Sequence, residues 1–316
     1  MRHCCQPVAG GAPALDEPTR TVTTKSRYTV GRVTPCAPFR IPVGGCGAHG
    51  VTRPTGPVAT YRYLLVAVPV LAALVTAASI AAEAEAAAPN TLTKSEKAAG
   101  WRLLWDGRTT HGWHSAKAGV SLAAKWEIAD GVLTVRKADD PLSAGGGNII
   151  TRERFASFEL IADFKLTPGA NSGIKYFVQS NLDPDNLTGA GPAVGCEFQL
   201  LDDERHPDAK LGRNGNRTVG SLYDLIPAAT PKKTKPVGEW NTARILVQGK
   251  HVEHWLNGQK VLEYERGSAA FRAGVAQSKF HNIPGFGEWP TGHILLQEHG
   301  DQVHFRNIKI RALPEN

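Results

Sequence analysis

Acidic and amide side chains alternate with apolar ones in the segment Cys196–Asp202 (CEFQLLD). Because successive residues of a β-strand point to opposite faces, Glu197 and Gln199 are predicted to share one face, and a bulge at Leu201 would turn Asp202 to the same side. Two carboxylates on one strand face can act as the acid/base pair that cleaves a glycosidic bond. The alternative is a solvated polar face on an edge strand, because polar residues are mostly exposed.

A second group suited to proton transfer stands near the C-terminal end of the sequence. In Leu295–Gly300 (LLQEHG), strand alternation places Gln297 and His299 on one face. An unperturbed imidazole has a pKa of about 6.5, so His299 is a candidate for acid/base catalysis. The alternative for His299 is a turn residue that packs against His304 and Phe305.

The charged segment after Leu201 holds oxygen and imidazole ligands of the kind that bind metals. Asp202, His206 and Asp208 are the candidate ligands of a divalent metal ion, with Asp203 beside them. Their spacing matches no recognised metal motif, and a charged loop is more often simply solvated. A divalent metal is therefore the one cofactor candidate, and its identity is left open.

The remaining candidates would contact a sugar. Asn171 follows a Pro-Gly turn that could present it to a ligand, although turn residues also tolerate left-handed backbone geometry. Tyr223 and Trp240 offer aromatic faces for stacking on a sugar ring, but tryptophans are more often core residues. The predicted substrate-binding set comprises Asn171, Lys175, Gln199, Asp202, Tyr223, Trp240 and Gln297.

Short strands joined by turns must position these residues. The chain has 33 glycines and 21 prolines, and the steps Asp130-Gly131 and Asn257-Gly258 are hairpin signals between alternating segments. About ten to twelve short strands without a long helix predict an all-β fold, a sandwich of two antiparallel sheets. The polar stretch Asp202–Gly238 interrupts the alternation, so we expect it outside the core, in loops that border a site.

The N-terminal part of the chain has a different character. Residues 64–82 are apolar and uncharged, follow Arg53 and Arg62, and lead into small residues, which is the pattern of a signal peptide. The alternative is a retained membrane anchor, since about 19 apolar residues can just span a bilayer. We therefore predict a non-native or disordered extension at 1–57, a signal peptide or anchor at 58–88, and one domain at 97–314 in a secreted or periplasmic protein.

Charge and cysteine content exclude several classes of protein. The formal net charge is +7, but residues 1–62 carry eight Lys and Arg against two Asp and Glu, and the rest lacks a basic block. A nucleic-acid partner is therefore not expected. Four of the five cysteines lie before residue 47, so the predicted domain, with Cys196 alone, has no internal disulfide.

An ordered set of segments across residues 100–313 resembles the 3-keto-disaccharide hydrolase family. The resemblance implies a concanavalin A-like jelly-roll sandwich that acts on 3-keto-glycosides made by a separate oxidoreductase. The strand around Glu197 also resembles the E-x-D-x-x-E strand of family 16 glycoside hydrolases. One departure is Lys175, where many relatives carry another residue after NSGI. The segments are LLWDGRTTHGW (103–113), WEIADGVLTV (126–135), FASFELIADFKLTPGANSGIKYF (155–177), CEFQLLDDERHPDA (196–209), GSLYDL (220–225), VGEWNTARI (237–245), LNGQKV (256–261) and GHILLQEHGDQVHFRNIKI (292–310).

A 3-keto group would change the easiest reaction, because the carbonyl acidifies the C2 proton and makes C1 a β-leaving position. Base-assisted elimination followed by water addition then gives net hydrolysis. Glu197 is the expected base or a metal ligand, His299 its acid/base partner, and Lys175, Gln199 or Gln297 the donors to sugar oxygens. Two alternatives are a non-catalytic carbohydrate-binding module of the same fold and an ordinary β-glucanase.

Overall fold

The computed structural model describes residues 88–137, 147–183 and 193–314. The predicted extension at 1–57, and all of the predicted signal peptide or anchor except residue 88, lie outside the described residues. Within the described ranges, no helix is both long and apolar enough to cross a membrane.

Thirteen strands and two short α-helices form the described part of the chain. In chain order the helices are α1 (Lys94–Ala98) and α2 (Ala269–Ala276). The strands are β1 (Arg102–Leu103), β2 (Trp113–Ser115), β3 (Trp126–Ala129), β4 (Val132–Val135), β5 (Ile149–Thr151), β6 (Phe158–Leu166), β7 (Asn171–Ser180), β8 (Ala193–Leu201), β9 (Asn241–Gln248), β10 (His251–Leu256), β11 (Gln259–Glu265), β12 (His293–Leu296) and β13 (Val303–Ala312).

The strands form two antiparallel sheets, which confirms the predicted concanavalin A-like sandwich. The larger sheet has the order β11-β10-β9-β6-β13-β4-β3, with β1 also paired to β13, and the smaller one has the order β2-β5-β12-β7-β8. Both predicted hairpins are present, β3–β4 and β10–β11. Positive φ angles at Asp130, Gly131, Asn257 and Gly258 explain why these dipeptides suit the two turns.

Alternation divides the smaller sheet into an inner and an outer face. Ile174 and Phe198 belong to the main apolar core between the sheets. Lys175 follows Ile174 and Glu197 precedes Phe198, so both side chains point outward. They are direct partners in the β7–β8 register. A small second apolar cluster also lies on this smaller sheet, separate from the main core; it contains Ala116, Ile150, Val178 and Leu295.

The polar stretch Asp202–Gly238 contributes more to the core than the sequence predicted. Val219, Leu222 and Leu225 are buried in the main cluster. The reason is that the chain turns back along the free edge of β8, where Leu222 forms an antiparallel bridge with Phe198. A few apolar residues in a polar loop are therefore enough to cover the edge strand.

Candidate active site

The outer face of β7 and β8 carries a buried carboxylate. The Glu197 residue is only 3% exposed, and its Oε2 lies 3.5 Å from the Lys175 Nζ. The Tyr223 main-chain N–H donates to the Glu197 carbonyl oxygen over 3.0 Å, because the returning loop covers this edge. The carboxylate is thus part of an enclosed site and not of a solvated edge strand, which was the alternative considered from the sequence.

A glycine makes room for this carboxylate. Gly173 stands on β7 opposite Gln199, and a Cβ atom placed there would lie 2.1 Å from Glu197 Oε1. Because real Cβ contacts are never so short, the Glu197 side chain can lie over β7 only when residue 173 is glycine. The sequence segment NSGIK therefore supplies both the space for the carboxylate and its cationic neighbour.

Two amide side chains lie beside Glu197 and Lys175 on the outer face of β7 and β8, and together these four residues form the polar floor of the site. Gln199 and Asn171 are both buried, and their side-chain amides are 3.2 Å apart. With the Gln199 amide rotated by 180°, its NH2 group lies 3.2 Å from Glu197 Oε1 and 3.2 Å from the Ser172 carbonyl oxygen. We adopt this orientation because it gives the amide acceptors to donate to. Gln199 then fixes one carboxylate oxygen.

Gln297 borders the same floor. Its main-chain N–H donates to the Gly173 carbonyl oxygen over 3.0 Å, which continues the β12–β7 pairing beyond Leu296. Its side-chain Oε1 is buried and has no hydrogen-bond partner among the described residues. A buried amide oxygen without a partner is unfavourable by about 1–3 kcal/mol, so a donor from a ligand, such as a sugar hydroxyl, would stabilise it.

The loops above the floor form a charged network around Tyr223. Its hydroxyl donates to Asp208 Oδ2 over 2.8 Å, and Arg217 bonds both Asp208 and Asp224 over 2.8 Å. Burial, followed by the hydrogen bond to Asp208, raises the pKa of Tyr223 well above its usual value. The Tyr223 phenol is therefore a neutral group whose donor is already engaged, and its ring face is the part left for contacts.

The candidate metal ligands are committed to other partners. Asp202 accepts the Gly169 N–H over 2.8 Å and pairs with Arg205 over 3.1 Å. Burial acts to raise the pKa of Asp202, but these hydrogen bonds outweigh it, and the pKa is lowered. His206 Nδ1 accepts the main-chain N–H of Asp208 over 3.1 Å. The structure thus does not gather Asp202, His206 and Asp208 into one ligand set.

Within the described residues, the three-ligand group that could hold a metal is His251, Glu253 and Glu263. It stands on the β10–β11 hairpin of the larger sheet, and Lys260 already pairs with both glutamates. A cavity of about 490 Å³ beside Asp202 and Asp203 is likewise not lined by Glu197. Glu197 is the stronger candidate, because a buried carboxylate and a largely buried ammonium meet there, whereas Asp202 and Asp203 beside the cavity are already bonded to neighbouring groups.

Three predicted residues lie outside this cluster: Asp202, whose partners are given above, His299 and Trp240. The His299 ring is exposed and stands edge-on to the His206 ring, with centroids 6.5 Å apart. Trp240 contacts the Arg306 guanidinium and the Lys165 ammonium, at 4.1 and 5.0 Å from its ring centroid. Both cations stand on strands of the larger sheet, so the structure does not bring Trp240 to Glu197. The sequence predicted local hairpins, but it did not predict which sheet the loop that carries Trp240, just before β9, would cover.

A buried polar chain supports the floor from the core side. Tyr176 OH lies 2.8 Å from His254 Nε2 and 2.8 Å from Tyr264 OH, and His254 Nδ1 lies 3.0 Å from the Gly220 carbonyl oxygen. The carbonyl requires the Nδ1–H tautomer, so Tyr176 donates to Nε2. Complete burial lowers the pKa of His254 to about 4. Neutral His254 therefore ties the larger sheet to β7 and to the loop over β8.

Sequence reasoning missed Lys279, which the structure brings to this site. Its Nζ lies 4.3 Å from the centroid of the Tyr223 ring, and it interacts electrostatically with Glu197 and Lys175. Lys279 lies 82 residues from Glu197 in the sequence, after a short helix, and no local pattern marks it. Asn171, Lys175, Gln199, Tyr223 and Gln297 were predicted, and the structure gathers them around Glu197.

Comparison with known proteins agrees with this geometry. The family model of the 3-keto-alpha-glucoside-1,2-lyase-like domain matches residues 100–311. A 3-keto-disaccharide hydrolase from Bacteroides thetaiotaomicron is 35% identical over 257 residues, which cover 75% of this chain and 87% of the relative. Two crystal structures from Parabacteroides distasonis, provisionally described as glycosyl hydrolases, are 29% and 28% identical, with TM-scores of 0.60 and 0.51. The two alignments cover 72% and 67% of this chain, and 100% and 99% of the chains in the respective crystal structures.

The family match and the 3-keto-disaccharide hydrolase relative define an enzyme of the glycoside hydrolase-like class. The chain belongs to the 3-keto-alpha-glucoside-1,2-lyase-like family. The resemblance recognised in the sequence is therefore confirmed, and so is the predicted class of enzyme.

Proposed function

We propose that this enzyme hydrolyses 3-keto-glycosides, disaccharides among them, by elimination and water addition. The observation that carries the proposal is the buried Glu197 carboxylate with Lys175 and Gln199 directly beside it. The name of the Bacteroides relative, 3-keto-disaccharide hydrolase, supports the substrate class.

Glu197 acts as the base in the first step. Its carboxylate takes the proton from C2, the C2–H electrons form the C1=C2 double bond, and the C1–O bond breaks with its electrons passing to the leaving oxygen. Lys175 donates to the C3 oxygen and stabilises the negative charge that develops there. At 3.5 Å from Glu197 the Lys175 ammonium is beyond normal hydrogen-bond length, so Glu197 does not saturate its donors.

Water addition completes the reaction. Water adds to C1 of the enone, one of its protons goes to the departed oxygen to give the neutral alcohol, and protonated Glu197 returns a proton to C2, so the free 3-keto sugar is released and the carboxylate is restored. Asn171 and the buried Gln297 Oε1 would hold hydroxyl groups of the sugar during both steps. A signal peptide or anchor at 58–88, as predicted from the sequence, would put this reaction outside the cytoplasm, and a separate oxidoreductase would supply the ketone.

Turnover in D2O tests the proposal directly. The acidic proton that Glu197 holds in the enone complex exchanges with D2O before it is returned, so elimination and readdition put deuterium at C2 of the released 3-keto sugar, whereas direct displacement at C1 leaves the C2 hydrogen in place. We expect cleavage of 3-keto-trehalose with deuterium at C2, no cleavage of trehalose, and a loss of about 10²–10⁴-fold in kcat for Glu197→Gln. Product without deuterium, beyond that from uncatalysed exchange of the ketone, would refute the mechanism. A parallel assay with chelator tests for a metal requirement.

A further inference from the structure

Lys279 is held at the site by its main chain and by aromatic contacts. It follows α2, and its N–H donates to Asp224 Oδ2 over 2.8 Å, while Arg217 holds the other oxygen of the same carboxylate over 2.8 Å. Its ammonium lies 4.3 Å from the centroid of Tyr223 and 5.1 Å from that of Phe280. The base of this side chain is therefore fixed, while the residue remains exposed to an entering substrate.

The surroundings of Lys279 favour loss of its proton. Desolvation by the surrounding protein atoms lowers the pKa of Lys279, and the positive charges of Lys175 and Arg217 lower it further. The carboxylates of Glu197 and Asp224 act to raise this pKa, but they do not outweigh the other effects. An ammonium with a lowered pKa is a stronger acid than an ordinary lysine, and the resulting amine is available as a base.

We propose that Lys279 is the general acid that protonates the leaving oxygen and, as the amine, the base that activates water in the second step. This inference rests on the proposed function. As the C1–O bond breaks, a Lys279 N–H proton passes to the departing oxygen, and the neutral alcohol leaves. As water adds to C1, the amine takes one of its protons, while Glu197 returns its proton to C2. Each group ends in the state in which it began.

Lys279 suits this role better than His299, the acid expected from the sequence. Lys279 interacts electrostatically with the base Glu197, whereas the ring near His299 is that of His206. An acid at the site of elimination must reach the oxygen on C1 while the base reaches the hydrogen on C2, an adjacent carbon. The Lys279 ammonium lies 4.3 Å from the centroid of Tyr223, and the Tyr223 main chain is bonded to that of Glu197 over 3.0 Å, so acid and base stand on the same side of the site.

Dependence on the leaving group tests the proposal in the full-length protein. The substrates are methyl 3-keto-glucoside, whose alkoxide must be protonated as it leaves, and 4-nitrophenyl 3-keto-glucoside, whose phenolate leaves without help. We expect Lys279→Met to lower the single-turnover rate of methanol release by about 10²–10⁴-fold and that of nitrophenol release by less than about tenfold, because this rate reports the elimination step alone. Lys279→Arg should behave alike, because a guanidinium keeps the charge but is too weak an acid.

Lys233→Met is the matched control, since this lysine is also exposed and is bonded to Gln259 and Asn257 through its main chain. It should turn over both substrates at the wild-type rate. Equal losses for both leaving groups in the Lys279 variants would overturn the acid role and leave the proposed function intact. A selective loss in His299→Gln in place of Lys279→Met would also overturn it. Failure of the wild-type enzyme on both substrates would refute the proposed function itself.

Discussion

Replacing Gly173 with alanine should displace the catalytic carboxylate without straining the backbone. The added Cβ would lie 2.1 Å from Glu197 Oε1, 2.8 Å from Cδ and 2.9 Å from Cγ, whereas ordinary contact begins at 3.4 Å. The carboxylate oxygen must therefore move by about 1.3 Å. A misplacement of about 1 Å can cost about 10²-fold in rate, so we expect kcat for 3-keto-trehalose to fall by about that factor.

A double-mutant cycle shows whether this contact is the cause. Gly173→Ala should lower the free energy of unfolding by about 1–3 kcal/mol in the wild-type background, because it overpacks a filled space. In a Glu197→Ala background the three atoms that the methyl group would meet are absent. There the same change should cost less than about 0.5 kcal/mol, measured by urea unfolding.

Gly274→Ala is the matched control, because nothing lies within 4 Å of a Cβ at this position in α2. It should leave kcat unchanged and raise stability slightly, since alanine favours helix by up to about 1 kcal/mol over glycine. The reasoning is refuted if Gly173→Ala keeps kcat within twofold of the wild type, or if its cost in stability is the same with and without the Glu197 side chain.

Two further predictions test the frame of the site. Between pH 8 and pH 5, the free energy of unfolding of His254→Gln should fall by about 2 kcal/mol less than that of the wild type. The reason is that the pKa of His254 is about 4 in the folded protein and about 6.5 in the unfolded chain, so in this pH range only the unfolded state binds a proton at this imidazole. Urea unfolding at both pH values measures the difference, and equal pH dependence of the two proteins would contradict the prediction. Trp240→Ala should leave kcat/KM for 3-keto-trehalose within twofold of the wild type, because Trp240 contacts Arg306 and Lys165 on the other sheet, and a tenfold rise in KM would instead restore its predicted role as a sugar platform.

The sequence predicted those parts of the site that follow from strand alternation and local turns. Period-two alternation put Glu197 and Gln199 on one face, and the two dipeptides Asp130-Gly131 and Asn257-Gly258 located the hairpins. These features depend on residues only a few positions apart. The pairing of Lys175 with Glu197 could not be deduced, because register between β7 and β8 depends on the whole sheet.

The parts that the sequence did not predict depend on loop paths. Trp240 and Lys279 both stand outside strands, and which sheet each one covers is decided by tertiary packing. The burial of Leu222 beneath the polar stretch arises because the free edge of β8 needs main-chain partners, which the returning loop supplies. Neither property leaves a periodic signal in the chain.

The proposed elimination, as against direct displacement at C1, is supported by the charges around Glu197. Ordinary glycosidases place two carboxyl groups on opposite sides of the scissile bond, roughly 5–9.5 Å apart. Here the cross-strand partner of Glu197 is the cation Lys175, and Asp202, the nearest carboxylate in the sequence, is bound by Gly169 and Arg205. A base beside a cation is suited to removing the proton from the carbon next to a carbonyl, because the cation stabilises the negative charge that develops on the enolate oxygen. The substrate's ketone would then provide the activation that a second carboxylate provides elsewhere.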